Sequence, residues 1–237
     1  MPTAIADTDT HEFLPINAAG ARTWTASVSD EPADVDPGAV ARAVAAGHAV
    51  GGQGTYVQTR LRADDGSNAS ADLTLTGSTL VASSNGKVVL DINAQAPLWA
   101  PFDRIEIYAN AQTVVTREQK GTPVLYSAEP TLVLLAGQDF TVTRTVVDAS
   151  IPGAERFETA LSVPFDLDRD TWFVVLVRGT DGVSRPMFPV IGGDLDPATN
   201  TTLADLIDDN LGQGGVLSLG FTNPLYADVD GVPGFTR

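Results

Sequence analysis

Carboxylates and imidazoles are the side chains here with chemistry to offer, because the 237 residues include no cysteine and only two histidines, His11 and His48. Disulfides, thiolate metal sites and cysteine nucleophiles are thereby excluded. The first histidine lies in Asp7-Thr8-Asp9-Thr10-His11-Glu12. At an extended strand end, side chains two positions apart share a face. Asp9 and His11 would then stand together and offer an oxygen and a nitrogen to Zn²⁺, Mn²⁺ or Fe²⁺. Taken alone the three-residue pattern is weak, and an exposed acidic loop holding one histidine accounts for it more readily.

A second candidate is Tyr226-Ala227-Asp228-Val229-Asp230-Gly231. Asp228 and Asp230 resemble the front of a calcium loop, but the third acidic position and the distal bidentate glutamate are missing, so a surface turn is the stronger reading. The third candidate is His48, expected at the end of a helix whose dipole favours an imidazolium; capping is its simplest role there. Other chemistry-bearing patterns fail. No Gly-x-Ser-x-Gly occurs, and Gly51-Gly52-Gln53-Gly54 neither follows a strand nor opens a helix, as a phosphate loop must. Asn68-Ala69-Ser70 and Asn200-Thr201-Thr202 are glycosylation acceptors only in a glycosylating, secreting host. The runs Asp166-Leu167-Asp168-Arg169-Asp170 and Asp208-Asp209 follow no ligand spacing and read as solvated turns.

The elements that must position these residues follow from periodicity. Residues 1 to 35 are polar and turn-rich and read as irregular, with a candidate strand near residues 2 to 6. A helix follows: Asp36 caps it, Pro37 suits its first position, and Val40, Val44 and His48 share a face before Gly51-Gly52 ends it. After residue 54 the apolar period falls to two. Thr55 to Leu61, Lys87 to Gln95, Arg104 to Tyr108, Thr131 to Leu135, Phe140 to Val147, Phe157 to Val163 and Thr171 to Arg178 all read as strands. Val88, Leu90 and Ile92 alternate with Val89, Asp91 and Asn93, which predicts a half-buried strand. A late helix is expected at about 201–211, where Leu203, Leu206, Ile207 and Leu211 form a stripe, followed by short extended words at Val216 to Phe221 and Leu225-Tyr226. The expected class is therefore mainly β, an antiparallel β-sandwich. Trp99 and Trp172 are expected in its core, since large aromatics are highly buried on average.

Charge narrows the partners. Fourteen basic against 30 acidic side chains leave a net charge of −16, which repels phosphate backbones and anionic leaflets. Nucleic acid is disfavoured. No run approaches the roughly 18 apolar residues of a membrane span, and Met1-Pro2-Thr3-Ala4-Ile5-Ala6-Asp7 does not read as a signal peptide.

Six words in one order resemble the C-terminal portion of the CehA/McbA-type branch of the PHP metallohydrolases, a bacterial hydrolase group. They are Thr8-Asp9-Thr10-His11; Arg22-Thr23-Trp24; Asp36-Pro37-Gly38-Ala39-Val40 leading into Ala43-Val44-Ala45-Ala46-Gly47-His48-Ala49-Val50; the stretch from Gln95 to Asn110; Asp170-Thr171-Trp172; and the stretch from Thr222 to Gly231. The resemblance implies that residues 1–52 are the last strand, loop and helix of a distorted α/β barrel and that residues 54–237 form the β-sandwich that follows it. It implies that Asp9 and His11 supply the last ligands of a divalent metal centre (Mn, Zn or Fe) used in ester, carbamate or phosphoester hydrolysis. Family members gather their other ligands upstream, beginning with a His-x-His strand. The chain as given is therefore expected to be catalytically incomplete, with the missing barrel as its partner, on the same chain or a separate one. The parent protein would be soluble and extracytoplasmic, as many relatives are. The competing expectation is a non-catalytic β-sandwich binding or adhesion module, which an exposed aromatic row of Trp99, Phe102 and Tyr108 would favour.

Overall fold

The computed structural model describes residues 3–5, 21–29, 31–74, 77–110, 113–119, 122–180 and 217–235. Asp9, His11 and the helix expected at about 201–211 lie outside these residues.

Alternating hydrophobicity dominates the described chain, and strands dominate its structure. After β1 (Ala21–Trp24) come a 3-10 turn (Pro32–Asp34), the helix α1 (Pro37–Ala45), β2 (Val50–Gln53), β3 (Tyr56–Ala63), β4 (Ser70–Asp72), β5 (Leu80–Ala82), β6 (Lys87–Pro97) and β7 (Arg104–Ala109). Then follow β8 (Thr113–Gln119), β9 (Thr122–Ala128), β10 (Leu132–Leu135), β11 (Thr143–Val146), β12 (Glu155–Asp166), β13 (Thr171–Arg178), β14 (Leu219–Thr222) and β15 (Leu225–Asp228). One sheet of eight strands runs β1-β2-β14-β13-β15-β5, with β7 also on β13 and β10 on β7; a second of five runs β11-β12-β6-β3-β4. Strands β8 and β9 pair as a separate hairpin. Among the described residues, all pairings between these named strands are antiparallel except β15 with β5.

The two large sheets bury their inward rows against each other. Val57, Leu61, Leu90 and Ile92 from the smaller sheet meet Ile105, Ile107, Phe173, Val175, Val177 and Leu225 from the larger. Each such side chain contributes roughly 1.5–3 kcal/mol on leaving water. The Phe165 and Phe173 rings approach to 4.9 Å between centroids across this seam.

Helix α1 begins as its sequence predicts, with Asp36 accepting the Gly38 N–H at 2.8 Å and Pro37 in the first turn. Its end differs from the expectation. The helix stops at Ala45, Gly47 takes φ 85°, the Gly47 N–H donates to Val44 O and the His48 N–H to Ala43 O. This is a Schellman cap, and it is the backbone amide of His48, one residue past Gly47, that serves it. Gly51 and Gly52, expected to end the helix, lie in β2 instead. A Cβ on Gly51 would stand 2.3 Å from the Phe221 ring, and one on Gly52 would stand 2.5 Å from both Leu219 O and Thr55 O. Close approach of neighbouring backbone and ring, rather than helix termination, is what these glycines permit.

Two further differences are local. The segment expected to be irregular holds β1, because Arg22-Thr23-Trp24 finds a partner in β2 that short-range patterning does not reveal. Residues on either side of position 53 share one sheet, since β2 pairs with both β1 and β14. Trp99 is exposed (56%) in the turn after β6, Trp172 is half-buried, and Phe102 (2%) is in the core. The expectation of a core position therefore fails for Trp99, and no exposed row of Trp99, Phe102 and Tyr108 forms.

Candidate metal centre

β14 and β15 run along successive stretches of β13, with a one-residue displacement between the two registers. Asn223-Pro224 lies at the break, and the Thr222 hydroxyl takes the Val175 N–H at 3.0 Å there. Asn223 is 1% exposed and uses its side chain three ways: Oδ1 accepts the Ala4 N–H at 2.7 Å, and Nδ2 donates to Ala4 O at 3.0 Å and Ala49 O at 2.8 Å. The chain five residues before Asp9 is thus tied to the residue that follows the helix cap.

The other end of β15 carries the acidic group. Asp228 ends the strand, Asp230 lies in the turn that follows, and Asp170 enters from the connection between β12 and β13. Oxygen atoms from the three carboxylates lie within 4.8 Å of one another, with Asp170 (5%) and Asp228 (8%) buried and Asp230 exposed. Backbone amides already face them. Asp170 Oδ1 accepts from Val229 at 2.8 Å and from Asp230 at 3.3 Å, Asp228 Oδ2 from Gly234 at 3.0 Å, and Asp230 Oδ1 from Val232 at 2.8 Å. Tyr226 and Phe235, with ring centroids 5.0 Å apart, close the loop from outside.

Chemically this donor set is oxygen-only. It suits a hard cation such as calcium, which takes 6–8 oxygens, and it lacks the imidazole or thiolate that zinc prefers. Three carboxylates fill half or less of a calcium shell, and their backbone partners make the same residues an adequate structural clasp without an ion. The spacing Asp228-x-Asp230 is visible in the sequence. Asp170 is not, because fifty-odd residues separate it from its neighbours and only the β13–β15 pairing brings them together. The Asn110 side chain adds a further tie, donating to Asp170 O at 2.8 Å and accepting the Trp172 N–H at 3.1 Å.

The most buried acidic side chain away from this loop is Glu106 (3%), on the outer face of β7. Its Oε1 meets Arg104 Nε at 2.6 Å and an Arg178 terminal nitrogen at 2.8 Å, while Oε2 accepts the Tyr108 hydroxyl at 2.8 Å. Burial pushes the carboxyl up, but the Tyr108 hydroxyl and the two guanidinium groups outweigh it and hold the group below the usual carboxylate range. Burial, and then the Glu106 charge, push Tyr108 up to about 12. This network cross-links β7 and β13.

Comparison with protein-family profiles, curated proteins and solved structures finds no match. His48 is half-buried at the helix cap and belongs to no group of three candidate ligands among the described residues.

Proposed function

We propose that this chain is the C-terminal portion of a PHP-like metal-dependent hydrolase. In this reading Asp9 and His11 are ligands of its divalent metal, and the β-sandwich braces the segment that carries them. One observation supports it above others: five of the six words of sequence that resemble that family meet in space, the first lying outside the described residues. Asn223, from the last word, holds Ala4, just before Asp9, and Ala49, in the helix word. Trp24 pairs with Val50. Asn110 bonds the Asp170-Thr171-Trp172 word, and Asp170 accepts from Val229 and Asp230 of the last. Five chance matches would have no reason to serve as each other's hydrogen-bond partners.

When bound, a metal at Asp9 and His11 would activate water for attack on an ester, carbamate or phosphoester. Two protein ligands fall short of the usual three, so upstream residues complete the site. Asn223 fixes Ala4, which precedes that pair in the chain. The deciding experiment expresses the gene product together with any in-frame sequence upstream of Met1 and assays those three ester classes with Mn²⁺ and Zn²⁺. Metal-dependent turnover should fall by about 100-fold or more in Asp9→Ala and in His11→Ala, because even outer-shell partners of a metal ligand cost 10–100-fold. Turnover unchanged in both variants, or robust turnover by residues 1–237 alone, would remove this reading.

A further inference from the structure

β4 ends early and leaves the first half of β3 without that neighbour, since it covers only Arg60 to Arg62. A cavity of about 400 Å³ opens there, between the β1 side of one sheet and the β3 side of the other. That volume lies within the range of small-molecule sites. Two aromatic rings form its apolar wall, Trp24 and Tyr56, packed edge to face with centroids 5.6 Å apart at 73°. Gln95 stands directly across from Tyr56 in the β3–β6 register, and Gln58 is two residues along the same face of β3. Both amides line the cavity.

The composition of the wall selects the ligand. No described residue lining it is charged, in a protein whose net charge is −16. Ionic ligands, of either sign, would find no counter-charge there. Aromatic faces carry negative quadrupole density that attracts weakly positive C–H groups. Primary amides offer a donor and an acceptor together, matching hydroxyl groups that also do both. We propose that this cavity binds a neutral sugar ring, its C–H face against Trp24 or Tyr56 and its hydroxyls bonded to Gln58 and Gln95. The proposal does not rest on the metal-ligand reading.

Titration calorimetry and tryptophan fluorescence on the whole chain, with glucose, galactose, N-acetylglucosamine and their β-1,4-linked oligomers as probes, test the assignment. At least one probe should bind saturably with a Kd of about 1 mM or tighter, and Gln58→Ala and Trp24→Ala should each weaken it by about tenfold. Gln58 is exposed, so its truncation leaves the fold intact and keeps the result interpretable if Trp24→Ala unfolds. Trp99→Ala, which alters a tryptophan outside the cavity, should leave binding unchanged. The proposal is overturned by three outcomes: no probe binds, binding survives Gln58→Ala undiminished, or adenosine binds where every sugar fails.

Discussion

At the scale of single residues, the side chains that organise this protein are small or polar ones whose importance their neighbours in sequence do not announce. Asn223 ties residues 4, 49 and 223 together, and Asp170 ties the β12–β13 connection to the turn after β15. Gly51 and Gly52 make the complementary point, because adjacent glycines in one strand face different obstacles. At Gly51 the obstacle is the Phe221 ring; at Gly52 it is two backbone oxygens held by the β14 pairing and the start of β3. A ring can shift within its packing, whereas a paired backbone moves only with its sheet. Gly51→Ala should therefore cost about 1–3 kcal/mol, the usual range for overpacking, and Gly52→Ala should cost more. Urea unfolding of the two variants side by side checks the order, and equal losses would contradict it.

Elements come next, and helix α1 is the clearest case. Nine residues are too few for a stable isolated helix, so its caps and its packing decide whether it forms. The N-cap was legible from Asp36-Pro37, where side-chain oxygen and fixed φ both act locally. The C-terminus lies several residues before the expected Gly51-Gly52, because three glycines fall within six residues and the local sequence does not say which of them takes the cap conformation. Gly47 alone has the positive φ of the cap, with nothing within 4 Å of an added Cβ. Its replacement is then a matter of backbone strain only. Gly47→Ala should destabilise by roughly 1 kcal/mol, the cost of a left-handed conformation for a residue with a Cβ. Thermal unfolding of Gly47→Ala beside Gly47→Asn would read this, with asparagine the milder change; a neutral Gly47→Ala would show that the cap is not holding the helix end.

For the whole molecule, acidity is the property that composition announces and that tertiary contacts put to use. Several carboxylates are held below their ordinary range by side-chain partners on their own or a neighbouring strand. Asp91 is lowered chiefly by its hydrogen bonds with Arg62, at 2.5 and 3.0 Å, and Glu106 by Tyr108, Arg104 and Arg178 against the opposing effect of burial. The unfolded chain takes up protons at these positions near pH 4, before the folded chain does. Stability from them is therefore complete above that range and drains away as the pH falls through the lower folded values. Tyr108 works in the opposite direction: its hydroxyl stays protonated in the fold to about 12, so its contribution is lost as the pH rises from about 10. Glu106→Gln should flatten the acid limb and shift the alkaline limb together, as seen by urea unfolding at stepped pH. An unchanged alkaline limb would mean that Tyr108 does not depend on Glu106. No described helix is long and apolar enough to cross a membrane.

What the sequence determined by itself was whatever is periodic or local. The alternation in Val88 to Asn93 and around Glu106 marked two core strands, the apolar runs from Phe157 and Thr171 marked two more, and Asp36-Pro37 marked a helix start. These depend on contacts within a few residues or on one buried face, so the order of residues carries them. Tertiary structure alone decided which strands adjoin, and with that everything that spans them. The β1–β2 pairing, the meeting of Asp170 with Asp228 and Asp230, the exposure of Trp99 and the cavity beside Trp24 and Tyr56 all rest on pairings between segments far apart in the chain. Such contacts depend on register and closure of whole sheets, and no short stretch of sequence contains both of the surfaces that must fit.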